Sequence, residues 1–251
     1  MSLSCTPGEP EPPAEPAQAS TLSPFLYVWA GAQNEEDKDS DFLAVIDADP
    51  DSERYGEIVA SVPVGLRGPA HHSEHVMPEG DTLFVNSFRA GASFLIDLSD
   101  PFTPQVAGSF RELGEYTYPH TFERLPGGNV LAAFQTKGEG NQEPGGLIEL
   151  APDGSLVRAS AAADPVDPEL RTYSVTPIPS IDRAVSTTSD MWGEAQGTSF
   201  QVWRLSDLTL LKTVRLPEGP LGYEHRDPAE VRLLPDSTTA IMTTFTCAMY
   251  L

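Results

Sequence analysis

Apolar and polar residues alternate along most of this chain in short runs. Proline and glycine cut each run before it reaches helix length. The stretch 120–160 shows the pattern best: His120–Leu125, Val130–Gln135, Gly146–Leu150 and Ser155–Ser160 each read as a strand, with Gly-rich turns between them. Strands joined this way predict an antiparallel meander. The pattern then recurs. HSEHVM-PEGD-TLFVNSF, HTFERL-PGGN-VLAAFQT, YSVTPI-PSID-RAVSTTS and AEVRLL-PDST-TAIMTTF share one layout of strand, proline turn and strand. Their prolines, Pro78, Pro126, Pro179 and Pro235, are 48, 53 and 56 residues apart. A second phrase appears as FLAVIDADP, SFLIDLSDP, GGLIELAPDG and SFQVWRLSD. It keeps step with the first, because Asp47, Asp97, Glu149 and Arg204 are spaced by 50, 52 and 55 residues.

A four-stranded unit repeating at this interval predicts an all-β fold, a β-propeller of four-stranded antiparallel blades. A β-sandwich with chance spacing would not hold both phrases in phase. Complete blades are expected over 72–110, 120–160 and 173–217. Phe25–Ala30, Phe42–Asp47 and Tyr55–Val64 supply the last three strands of a partial blade over 24–65, and 229–251 begins another. The economical reading is an incomplete part of a longer ring. The alternative is a four-bladed ring sealed by 229–234, with 238–251 left over.

Composition sharpens this picture. Residues 1–23 are rich in Pro, Glu, Ala and Ser and hold almost nothing to bury, so they predict a disordered leader. Cys5 ahead of that Pro-rich tether resembles the start of a mature bacterial lipoprotein, which would imply the periplasm or cell envelope. The signal needed for lipid attachment is absent from the sequence, so an ordinary exposed cysteine, with the cytoplasm as the alternative location, is the plainer reading. No apolar run is long enough to span a membrane as a helix. The net charge of −22 excludes nucleic acid as a partner, since phosphate binding needs clustered Lys and Arg.

Candidate chemistry centres on histidine. Counting back six residues from each turn proline reaches His72, His120, Tyr173 and Ala229. His72 and His120 therefore open the innermost strands of adjacent blades and should approach the central channel from one side. His71 adds a third imidazole if the chain at that point is still loop, because strand neighbours otherwise face opposite ways. Imidazole clusters suit Cu, Zn, Fe and Ni. From the residues alone, a metal site stands level with a role in bonding loop backbone and holding blades in register. His75 and His225 lack the matched position and are expected on the surface. Glu74 and Asp190 are candidates to orient a ligand through its other ring nitrogen. Cys247 reads as a small core residue, Trp29, Trp192 and Trp203 as blade packing, and Gly145-Gly146 as turn chemistry. No nucleophile elbow, Walker loop or dinucleotide fingerprint is present, so no catalytic residue is assigned.

FLAVIDADPDSERYGEIVASVPV followed by HHSEH resembles the selenium-binding protein family, which includes bacterial methanethiol oxidases. YPHTFERLPGGNVLAAFQ, GGLIELAPDGSLVR, TTSDMW and FQVWRLSDLTLLKTVRLP extend the resemblance over about 24–251. It implies a seven-bladed propeller longer than this chain. It also implies a copper-dependent oxidase that converts a small thiol substrate, methanethiol, with oxygen to formaldehyde, hydrogen sulfide and hydrogen peroxide. By motif, the metal ligands are His71, His72 and His120. Animal members carry a cysteine-rich segment after the histidine pair, linked to selenium binding; here that place reads His75-Val76-Met77-Pro78 and offers no thiol. The other readings are a non-catalytic propeller that binds a ligand or protein, and an inactive truncated homologue.

Overall fold

The computed structural model describes residues 23–32, 40–193, 196–222 and 224–251. The leader predicted over 1–23, with Cys5, lies outside the described residues except for Ser23. The described chain forms five antiparallel sheets, each with its strands in chain order. The first holds β1 (Phe25–Ala30), β2 (Phe42–Asp47) and β3 (Ile58–Pro63). The second holds β4 (Ala70–Ser73), β5 (Thr82–Ser87), β6 (Ala92–Asp97) and β7 (Gln105–Phe110). The third has five strands: β8 (Glu112–Leu113), β9 (Tyr116–Arg124), β10 (Val130–Lys137), β11 (Glu143–Leu150) and β12 (Leu156–Ala161). The fourth holds β13 (Thr172–Ile178), β14 (Arg183–Thr188), β15 (Ser199–Arg204) and β16 (Thr209–Arg215). The last holds β17 (Pro228–Leu233), β18 (Ala240–Thr244) and β19 (Met249–Tyr250).

The sheets stand side by side as blades of a β-propeller. Strand β4 packs beside β9, β9 beside β13, and β13 beside β17, so these strands form the inner wall. Four apolar layers fill the gaps between the blades. Leu43, Val62, Val85 and Phe94 join the first and second. Phe84, Leu95, Phe122 and Phe134 join the second and third. Leu131, Leu147, Val175 and Trp203 join the third and fourth, and Leu216, Val231 and Met242 the fourth and fifth. The period of two along β10 explains how one strand serves two layers. Val130, Ala132 and Phe134 face one neighbouring blade, while Leu131 and Ala133 face the other. Strand β17 pairs with β18 in its own sheet, and among the described residues β1 pairs only with β2. A four-bladed ring sealed by 229–234 would need β17 against β1, and the structure does not have that pairing.

Several local expectations change. Strand β3 starts at Ile58 rather than Tyr55, because Ser52 and Tyr55 are taken up in a turn: Ser52 N–H donates to Asp49 O and Tyr55 N–H to Ser52 O. Gly145-Gly146 lies inside β11 instead of a turn. A Cβ on Gly146 would lie 2.0 Å from the carbonyl oxygen of Ser160, so glycine is needed for strand contact there. Cys247 is exposed, at φ 70° in the turn between β18 and β19, and is no core residue. Trp203 is fully buried as blade packing, whereas Trp192 is 42% exposed.

One irregularity matters for the site. All four inner strands lose register with their neighbours near their start. The breaks fall between Ala70 and Ser73, Pro119 and Phe122, Thr172 and Val175, and Pro228 and Val231. An inserted residue of this kind bends a strand and re-aims side chains that would otherwise alternate.

Candidate metal centre

His71 and His72 fall inside the break in β4, and His120 inside the break in β9. This resolves the orientation problem that adjacent strand residues pose. The two neighbours converge although the segment is strand, because the ladder is interrupted there. The ring centroids of His71 and His72 are 4.4 Å apart, His71 and His120 4.7 Å, and His72 and His120 4.4 Å. One ligand atom from each of the three lies within 4.8 Å of the others. Nε2 of His71 and Nε2 of His120 are 2.9 Å apart.

Asn86, at the end of β5, holds the backbone of two members. Its Oδ1 accepts the His72 N–H at 2.7 Å. Its Nδ2 donates to the carbonyls of Pro119 and His120 at 2.6 and 2.8 Å. One fully buried amide thus ties the second blade to the third directly behind the imidazoles. Its own carbonyl accepts the indole N–H of Trp29 at 2.8 Å, which brings in the first blade.

All three rings are held neutral. Burial pushes His71 down. Burial, then His71, His75 and Arg232, push His72 down to about 3. Burial first, then His72 and His71, push His120 far below the ordinary imidazole range, weakly opposed by the Tyr173 backbone. Neutral imidazole has a free lone pair on one ring nitrogen, which is the form that binds metal. Nδ1 of His120 is also buried with no hydrogen-bond partner of acceptable geometry. A nitrogen-only donor set with an unsatisfied buried ring atom fits a transition metal of the copper or zinc kind.

The surroundings differ on the two sides of the trio. Phe88, 3% exposed, packs its ring 5.5 Å from His71 and 5.3 Å from His120. On the channel side, Tyr173 stacks 3.9 Å from His120, and burial followed by Glu230 raises its phenol pKa. Glu230 Oε1 lies 3.7 Å from His72 Nε2. Its Oε2 bonds Arg232 at 2.5 Å and accepts from Ser174 Oγ at 3.1 Å. Arg232 also reaches Glu123 at 3.2 Å and His75 Nε2 at 2.6 Å. His75 is exposed as expected, but it belongs to this charged network. His225 is half-buried against Tyr250, away from the trio.

The carboxylates named from the sequence play other parts. Glu74 is buried and paired with Arg124, not with a histidine. Asp190 accepts the backbone N–H of Trp192 at 2.9 Å. The repeat pattern of the sequence does not point to Phe88, Asn86 or Glu230, and Tyr173 appears in it only as the position equivalent to His72 and His120. Glu230 and Arg232 left one signal: two charges on alternate positions of an inner strand.

No protein-family model matches the chain. In sequence it is similar to a methanethiol oxidase from Hyphomicrobium sp, 26% identical over 217 residues, which cover 78% of this chain and 49% of that protein. A methanethiol oxidase from Ruegeria pomeroyi is 30% identical over 145 residues, 53% of this chain and 31% of that protein. The chain therefore spans half or less of the curated relatives it matches. In fold it is similar to a hypothetical selenium-binding protein from Sulfolobus tokodaii, with TM-score 0.71 at 18% identity over 87% of this chain and 54% of that one. The chain thus resembles methanethiol oxidases in sequence over most of its length and a selenium-binding protein in fold.

Proposed function

We propose that the chain carries the copper-binding part of an oxidase acting on methanethiol or a closely related small thiol. The carrying observation is the convergence of three neutral imidazoles from two adjacent interrupted strands. The likeness to methanethiol oxidases supports the same reading. His71, His72 and His120 would hold the metal, which when bound lowers the thiol pKa and provides a redox path to oxygen. The overall reaction consumes one methanethiol, one dioxygen and one water. It releases formaldehyde, hydrogen sulfide and hydrogen peroxide, with two electrons leaving the methyl carbon and arriving on dioxygen.

The chain's own residues have separate tasks. Asn86 fixes the backbone of His72 and His120, so the rings need little reorganisation. Phe88 excludes water from one side of His71 and His120. Glu230, held by Arg232 and Ser174, offers Oε1 beside His72 as an acceptor for a proton leaving the thiol. The test is copper content and peroxide release with methanethiol, compared between the native protein and His120→Ala. Stoichiometric copper and peroxide in the native protein, with both lost in the variant, are expected. No copper in the native protein, or unchanged turnover in the variant, sinks the proposal.

A further inference from the structure

An aromatic track leads away from the trio. Phe88 touches His71 and His120 on one side and Trp192 on the other, with its ring 5.3 Å from the indole. Tyr118 closes the group, 5.8 Å from Phe88 and 4.8 Å edge-on to Trp192. Beyond this pair lies a cavity of about 210 Å³, lined by Tyr118, Trp192, Thr136, Asn141, Gln142 and Arg171 among others. None of the three histidines lines it, so the Tyr118–Trp192 pair and Phe88 stand between cavity and trio.

Two features show that this arrangement is built at a cost. Tyr118 has φ 57°, a left-handed conformation that a bulky side chain rarely adopts and that costs about 1–3 kcal/mol. It lies in β9 one residue before the register break that begins after Pro119. Its ring rests on Gly91, itself at φ 59°, where a Cβ would lie 3.3 Å from Tyr118 Cε1. Trp192, by contrast, is 42% exposed and contributes little to the blade core. The half-exposed indole, held by a strained tyrosine, thus stands one ring away from the candidate metal site.

We infer that Phe88, Tyr118 and Trp192 form the specificity wall of the site, with Trp192 its exposed contact. They select thiols whose tails are apolar over polar thiols of the same size. This rests on the reading of the trio as a metal site that takes a thiolate. Sulfur and alkyl groups gain from contact with aromatic faces. A hydroxyl or a zwitterionic head placed there loses water without gaining a partner. An exposed wall discriminates by about tenfold, at the low end of what one apolar contact can supply.

The test uses protein loaded with Co(II), titrated with 1-propanethiol and with 2-mercaptoethanol. The thiolate-to-cobalt absorption band reports binding without turnover. Native protein should bind 1-propanethiol about tenfold more tightly. Trp192→Ala should bring that ratio below about threefold with cobalt uptake unchanged, and Trp192→Phe should restore it. Normal cobalt uptake with the same ratio in Trp192→Ala overturns the specificity wall while leaving the metal reading intact. Failure of the native protein to take up cobalt overturns the metal reading, and the wall falls with it.

Discussion

Arg124→Met tests how the second and third blades are locked behind the site. Glu74, with a side chain 1% exposed, accepts from Arg124 Nε at 2.8 Å and Arg124 Nη2 at 2.7 Å. It also accepts the Phe84 N–H at 2.9 Å. Arg124 spends its remaining donors on the carbonyls of Thr82 and Gly128, and lies 5.6 Å over the Phe84 ring. Methionine keeps most of the stem packing but leaves a buried carboxylate with one backbone donor. Removing one partner of such a pair costs about 3–5 kcal/mol. For a chain of this size that is a fall of roughly 6–20 °C in Tm. Burial already raises the Glu74 pKa against the pull of Arg124, so losing Arg124 raises it further. A raised folded-state pKa means the folded state binds the proton first. The deficit of the variant is therefore full at neutral pH and shrinks as pH falls through that pKa. Glu74→Gln in the Arg124→Met background should recover part of the loss. Urea unfolding at pH 7.5 and 5 measures all of this. A loss below about 1 kcal/mol, with no dependence on pH, would show that the pair behaves like a solvated surface bridge and refute the reasoning.

Three further outcomes follow from single residues. Asn86→Leu leaves the His72 N–H and the Pro119 and His120 carbonyls without their donor or acceptor; metal affinity should fall about 10–100-fold in a chelator competition, and unchanged affinity would remove Asn86 from the site. Gly146→Ala should cost about 2 kcal/mol or more in urea, because its Cβ meets the Ser160 carbonyl, whereas Gly127→Ala, with nothing within 4 Å, should be close to neutral. His72 titrates near 6.5 when unfolded but is pushed down to about 3 by burial, so the unfolded state takes its proton first. Metal-free protein should thus lose stability between pH 6.5 and 5, less so in His72→Gln, and a flat native profile over that window would contradict a buried neutral ring.

The propeller was legible because it is written repeatedly. Each blade needs a proline turn at one place and an alternating third strand at another, so two independent phrases keep a common interval. Blade packing followed from the same period: Phe84, Phe122 and Phe134 are buried because strand alternation puts them between sheets. What stayed hidden depends on departures from that period. Tyr118 falls between two predicted blades and Trp192 reads as blade packing, and only backbone strain and exposure mark them out. Glu74 looked like a partner for a histidine on spacing alone. It turns instead to Arg124, which lies fifty residues away in sequence but beside it across the blade gap.

The site itself arises where the repeat is both kept and broken. Equivalence of position takes His72 and His120 to the same height on adjacent inner strands, and this can be counted from Pro78 and Pro126. Strand alternation alone would then send His71 away from them. The interrupted register of β4 brings it back, and the same interruption recurs in β9, β13 and β17. The distortion is therefore a property of the blade design, available in every repeat. Chemistry depends on what each repeat places there: imidazoles in the second and third sheets, Tyr173 in the fourth, and Ala229 followed by Glu230 in the fifth. The shared backbone makes the positions converge, and the differences among four otherwise similar phrases turn one sector of the channel into a candidate metal centre with an apolar face and a charged one.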